Sequence, residues 1–166
     1  TSNGINCIDY KTKKITRFYP KSINKECTTN IINRLLKHSD GNVYAFCNRS
    51  VFKCSMNQTV ETVFPDIAIP SPTYSVAQAP DKDIYIGTES NGLYIYSENW
   101  KLKKHVPIDG IIATILPDNN GDIWLGLDET GICLFNKNKQ TFTWLHKDNT
   151  NLNNNSIRTF VSYGDS

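Results

Sequence analysis

Apolar residues along this chain come in short runs separated by polar links rich in Asn and Gly. The stretch 111–146 holds four such runs, Ile111–Leu116, Asp122–Leu127, Gly131–Asn136 and Thr141–His146. Runs of that length with turn residues between them predict a four-stranded antiparallel meander.

The same pattern recurs upstream. Thirty-nine positions earlier, Asp83-Ile84-Tyr85-Ile86-Gly87 falls on Asp122-Ile123-Trp124-Leu125-Gly126, and Gly92-Leu93-Tyr94-Ile95-Tyr96 falls on Gly131-Ile132-Cys133-Leu134-Phe135. A further 41 positions back, Asn42-Val43-Tyr44-Ala45-Phe46 takes the same place in a more divergent copy, with Val51 in the slot of the second Gly. A shift of 127 lays Gly4 to Asp9 on Gly131 to Asn136, so the chain is expected to open in mid-repeat. The periodicity divides it into 1–20, the outer strands of a split unit, complete units at 31–64, 74–105 and 111–146, and 156–163, the first strand of another. Three Pro in 65–73 mark that link as a loop, because Pro lacks the ladder donor.

A sheet with one wet face alternates apolar and polar positions, yet Ile84-Tyr85-Ile86, Ile123-Trp124-Leu125 and Ile132-Cys133-Leu134-Phe135 are apolar without a break. Both faces therefore need cover. No segment shows a helical period, so the cover must come from neighbouring copies of the same sheet. The fold expected is all-β: a β-propeller fragment of about four blades, each a four-stranded meander, forming an open arc.

Composition adds limits. The 166 residues are 39% hydrophobic, enough for a core, and the net charge is +2. The basic clusters Lys11-Lys13-Lys14 and Lys101-Lys103-Lys104 read as solvated outer strands, and nucleic-acid binding is not expected. No apolar run is long enough to span a membrane and no charged-then-apolar leader begins the sequence, so this segment is expected to make no membrane contact. Cys7, Cys27, Cys47, Cys54 and Cys133 contain no CxxC pair and are expected as free, buried thiols. His38, His105 and His146 fall in turns or at strand ends without acidic spacing. Neither a metal site nor a catalytic group is indicated, and no cofactor is expected.

The string through Ile112, Leu116, Asn119, Asn120, Gly121, Ile123, Trp124, Leu125, Gly126, Gly131, Ile132, Phe135 and Asn136 resembles the two-component regulator propeller repeat. The 74–105 copy follows it with Lys82 in the Gly121 slot, and the 31–64 copy follows loosely. The resemblance implies the periplasmic sensor of a hybrid two-component histidine kinase of the Bacteroidetes type, anchored in the inner membrane and responding to a polysaccharide or its fragments. It also implies that further blades of the parent chain are partners of these.

Within the repeat, Gly87, Gly92, Gly126 and Gly131 bound the link between second and third strands, where positive φ is expected, and Gly121 lies in the turn before the second strand. Tyr44, Tyr85 and Trp124 are expected to fill the space between adjacent blades, with loss of Trp124 costing about 3–5 kcal/mol. In propellers, ligands meet the rim formed by second-to-third-strand loops. There the candidates for contacting a carbohydrate are Arg49, Glu89, Asn91, Asp128 and Glu129. The alternative is a carbohydrate-processing hydrolase or lyase using paired carboxylates such as Asp128 and Glu89. Uncovered apolar blade faces predict that the segment self-associates.

Overall fold

A computed structural model describes residues 3–20, 29–47, 50–55, 60–62 and 71–163. Arg49, Cys27, the Val60–Phe64 strand beyond residue 62 and most of the links at 20–30 and 65–73 lie outside the described residues. Fourteen strands are found among them. β1 (Ile5–Ile8) and β2 (Ile15–Phe18) make a two-stranded sheet. β3 (Arg34–Lys37), β4 (Val43–Cys47), β5 (Ser50–Cys54) and β6 (Val60–Thr62) make the first four-stranded meander. The second comprises β7 (Thr73–Gln78), β8 (Ile84–Thr88), β9 (Leu93–Tyr96) and β10 (Leu102–Val106). The third comprises β11 (Ile112–Pro117), β12 (Ile123–Leu127), β13 (Gly131–Asn136) and β14 (Thr141–Leu145). Each sheet is ordered as its strands follow in sequence, which is the blade of a β-propeller.

The turns explain why the repeat folds alike each time. Between first and second strands, His38, Ala79 and Asp118 donate their N–H groups to the carbonyls of Asn42, Asp83 and Asp122, all at 2.9 Å. The residue before each acceptor takes a left-handed conformation: Gly41 at φ +86°, Lys82 at +71° and Gly121 at +85°. Lys82 thus occupies a glycine position at a steric cost. The turns between third and fourth strands repeat too, with positive φ at Lys13, Trp100 and Gln140.

The chain divides into two compact units, Thr1–Thr73 and Tyr74–Ser166. In the first, Ile5 of β1 packs with Ile32, Ala45, Cys47 and Phe52, and Phe18 and Cys54 flank them. In the second, Tyr85, Leu93 and Ile95 of one blade and Ile112, Ile123, Leu125, Leu127, Cys133 and Phe135 of the next share one core. β8 and β9 are buried at every position, as their unbroken apolar runs require.

A Gly–Ile contact sets the spacing of these sheets. A Cβ on Gly87 would lie 2.7 Å from Cγ2 of Ile112 on the following blade, and one on Gly126 would lie 2.6 Å from Cγ2 of Ile157. Gly87 is therefore a glycine because a neighbouring sheet comes close, and Gly126 because Thr114 of its own sheet and the segment at Ile157 do. Neither has positive φ, contrary to the expectation from the link, whereas Gly92 (+72°) and Gly131 (+98°) do. The residues expected to begin another blade, 156–163, contain no strand. They start as such a strand would: Ile157 donates its N–H to the Leu127 carbonyl at 2.9 Å. No described strand lies beside them to supply a ladder.

Two further expectations need correction. Tyr85 is 0% exposed and Tyr44 is 4% exposed, but Trp124 is only half-buried. Blade β11–β14 packs against Tyr85, whereas Trp124 lines a cleft shared with the irregular tail. Cys47 and Cys133 are buried, yet Cys7 is exposed and Cys54 intermediate; among the described residues β1, which carries Cys7, pairs with β2 alone. These four are free thiols; burial pushes Cys133 up to about 12, and burial with neighbouring Cys7 pushes Cys54 up to about 11.

Candidate ligand-binding rim

The loop between β8 and β9 is held from inside. Thr88 is fully buried; its N–H and hydroxyl both donate to the Gly92 carbonyl, at 3.1 and 2.8 Å, and its oxygen accepts the Asn91 N–H at 2.9 Å. The Asn91 side-chain amide donates to the Tyr94 hydroxyl at 2.8 Å. An imidazole nitrogen of His105 lies 2.7 Å from the Asn91 carbonyl, and the ring stacks on Tyr94 with centroids 4.3 Å apart. Asn91 is thus a loop anchor as well as a surface amide, and Glu89 stands exposed beside it.

The loop between β12 and β13 is built differently. Glu129 has φ +66°, and a Cβ on Gly131 would come within 2.4 Å of the Leu145 carbonyl. His146 reaches the Thr130 carbonyl at 2.7 Å, and Gly131 donates its N–H to the Asn155 carbonyl at 2.7 Å. One oxygen of Asp128 accepts the Ser156 hydroxyl at 2.8 Å, and the other meets the Arg158 guanidinium at 3.0 Å. Asp128 therefore fastens the tail, and both its oxygens are occupied. The pairing of Asp128 with Glu89 for acid–base catalysis finds no support in that arrangement.

Glu129 is exposed and lines a polar cleft of about 400 Å³ with Lys147, Asn153, Asn154, Asn155 and Ser156. Two Asn side chains shape this cleft: Asn155 accepts the Lys147 N–H at 2.8 Å, and Asn154 accepts the Ser156 N–H at 2.9 Å. Carboxylate, ammonium and planar amides gathered on a concave surface suit a hydroxyl-rich ligand. Sequence reasoning named Glu129 but passed over Lys147 and Asn153 to Asn155. Their signal was the Asn-rich run itself, which lacks the periodicity that marks strands. A second cleft, of about 450 Å³, combines Trp124, Phe160 and Tyr163 with Asp118, Asn119 and Asn120. There the Trp124 indole N–H donates to Asp118 at 3.1 Å. Among the described residues no group of three or more His, Cys, Asp or Glu gathers in metal-binding fashion, and no helix is long and apolar enough to cross a membrane.

Four-stranded meanders that bury their faces on one another, with ordered loops between second and third strands, define a β-propeller segment. Its likeness among solved structures is to extracellular domains of bacterial signalling proteins. One is the extracellular domain of the hybrid two component system BT3049 from B. thetaiotaomicron, 25% identical with a TM-score of 0.68, covering 86% of this chain and 21% of that one. Another is that of the one component system BT4673 from the same organism, 19% identical with a TM-score of 0.75, covering 94% and 22%. Virginiamycin B lyase from Staphylococcus aureus is also similar, 21% identical with a TM-score of 0.62, covering 86% and 48%. The chain thus spans about a fifth of the length of the two signalling domains. No protein-family model and no curated protein matches it.

Proposed function

We propose that this chain is a ligand-sensing or interaction segment of the periplasmic sensor of a hybrid two-component signalling protein, and that it responds to a polysaccharide or its fragments. The observation that carries the reading is the polar cleft at Glu129, Lys147 and Asn153 to Ser156, set on the rim of a blade whose fold is that of such extracellular domains. Glu129 and the Asn amides would hydrogen-bond paired hydroxyls, and Lys147 would favour a sugar bearing a carboxylate or sulfate. The inner-membrane anchor and the kinase belong to the parent protein under this reading. Calorimetric titration with a panel of neutral and acidic oligosaccharides tests it, with each mixture also followed for products. Binding without turnover, weakened by Glu129→Ala and Lys147→Ala, is expected; no binding across the panel would overturn the ligand assignment.

The likeness to virginiamycin B lyase supports the second reading, a lyase- or hydrolase-type propeller. Product release in the same panel would favour it.

A further inference from the structure

We infer that Asn120 is a modification site, at which the folded chain loses ammonia in water and converts the asparagine to aspartate and isoaspartate. That chemistry needs a side-chain amide free of partners, an unhindered backbone nitrogen after it, and a turn able to open. An Asn-Gly pair meets the second need, because Gly has no Cβ to crowd the attacking nitrogen. The chain holds three such pairs, Asn3-Gly4, Asn91-Gly92 and Asn120-Gly121. The structure separates them.

Asn91 is pinned at every polar group. Its amide donates to the Tyr94 hydroxyl at 2.8 Å, its N–H donates to the Thr88 oxygen at 2.9 Å, and its carbonyl meets His105 at 2.7 Å. Gly92 is buried, and a Cβ there would come within 2.2 Å of the Val106 carbonyl. Gly4 is also buried, and its N–H donates to the Asn30 carbonyl at 2.7 Å. Asn120 is exposed, and among the described residues none hydrogen-bonds its side-chain amide. The Gly121 N–H reaches the Asp118 carbonyl at 3.3 Å, beyond the usual span of such a bond, whereas Gly41 and Lys82 make the equivalent bond at 3.0 and 2.8 Å. A Cβ on Gly121 would have nothing within 4 Å, so this turn opens into solvent.

The repeat explains why the Asn120 side chain is idle. The other two copies carry Asp in its place: Asp40 accepts the Asn42 N–H at 2.9 Å, and Asp81 accepts the Asp83 N–H at 3.1 Å. In the third blade Asp118 does this work, accepting the N–H groups of Asp122 at 2.9 Å and Asn120 at 2.8 Å. Its counterparts in the other copies are His38 and Ala79. Asn120 thus stands where a carboxylate is no longer required, and the aspartyl product restores the residue type of the other copies. The isoaspartyl product instead adds a carbon to the backbone of the turn.

The step needs water and hydroxide alone. A base takes the Gly121 N–H proton, the nitrogen attacks Cγ of Asn120, and a succinimide ring closes as the Cγ–Nδ2 bond breaks. The amide nitrogen leaves as ammonia with a proton from water. Water then opens the ring at either carbonyl, and nothing is oxidised or reduced.

The inference does not rest on the sensor reading. The whole chain is incubated in mildly alkaline buffer, with and without urea, and ammonia release and peptide maps are followed over time. In buffer Asn120 is expected to convert about tenfold or more faster than Asn3 and Asn91, which corresponds to an opening cost at those two sites of about 1.4 kcal/mol or more. In urea the three rates should converge. Asn120→Asp should remove the fast phase of ammonia release. Equal rates in buffer, another asparagine converting first, the same spread of rates in urea, or a fast phase that survives in Asn120→Asp would each overturn the proposal.

Discussion

Single residues in this chain carry more backbone strain than their composition suggests. Lys82 stands at φ +71° where the neighbouring repeats have Gly. Left-handed geometry costs an L-residue about 1–2 kcal/mol, and the greater freedom of Gly in the unfolded chain returns part of that gain. Lys82→Gly is therefore expected to stabilise the fold by about 0.5–1 kcal/mol in urea titration. The ion pair of Lys82 with Glu98, at 3.2 Å between exposed side chains, offsets little of it. Gly87→Ala should act in the opposite direction. Its methyl would lie 2.4 Å from the Ser75 hydroxyl oxygen and 2.7 Å from Ile112, so a loss of about 1–3 kcal/mol is expected by the same titration.

At the scale of the element, equivalent aromatic positions differ because their cover differs. Tyr85 has a blade on its face and Trp124 has an irregular tail. Tyr85→Ala should cost about 3–5 kcal/mol in chemical denaturation, and Trp124→Ala clearly less despite the larger ring. Thiols report the same contrast. In the folded protein Cys7 is expected to react quickly with a disulfide reagent and Cys133 only on unfolding, and Cys7→Ser should remove one thiol from the fast phase seen by absorbance. Strands and turns were legible in the sequence because their causes are local: apolar runs such as Ile84–Ile86, and turn chemistry at Gly41 and Gly121. The role of Gly87 and Gly126 was not legible, since the contacts come from Ile112 on the next sheet and from Ile157 in the irregular tail, 25 and 31 positions away. The surroundings of one candidate were hidden for a related reason. Asp128 looked like a free rim carboxylate, but its partners Ser156 and Arg158 lie in a stretch with no strand of its own.

At the scale of the whole molecule, charge fastens the sheets at their wet margins. In the second unit, Lys137 reaches Asp83 at 2.6 Å and also pairs with Asp81, and Lys103 meets Asp83 at 2.7 Å. Burial alone would raise the Asp81 carboxyl, but the Lys137 ammonium and the Asp83 N–H outweigh it and hold it below the ordinary 3.8. In the first unit, burial at Asp40 is likewise outweighed by the Asn42 N–H and the Tyr44 hydroxyl. Both carboxyls are lowered on folding, so their stabilisation is present above about pH 4 and is lost as the pH falls through the folded values. Lys137 is shifted in the opposite sense: burial, which lowers it, is outweighed by Asp81 and Asp83. Its contribution is present below the ordinary 10.5 and fades only above it. Lys137→Met should narrow the stable range at both limits, followed by circular dichroism across pH.

The paired Gly and Ile act as a spacer gauge between a sheet and the segment laid against it. Where Gly87 receives Ile112 and Gly126 receives Ile157, the distance to the next layer is written in two side chains and not in the loop that joins them. Loop length is thereby released to vary, and insertions between layers could be accepted without altering the pitch at which sheets are laid down.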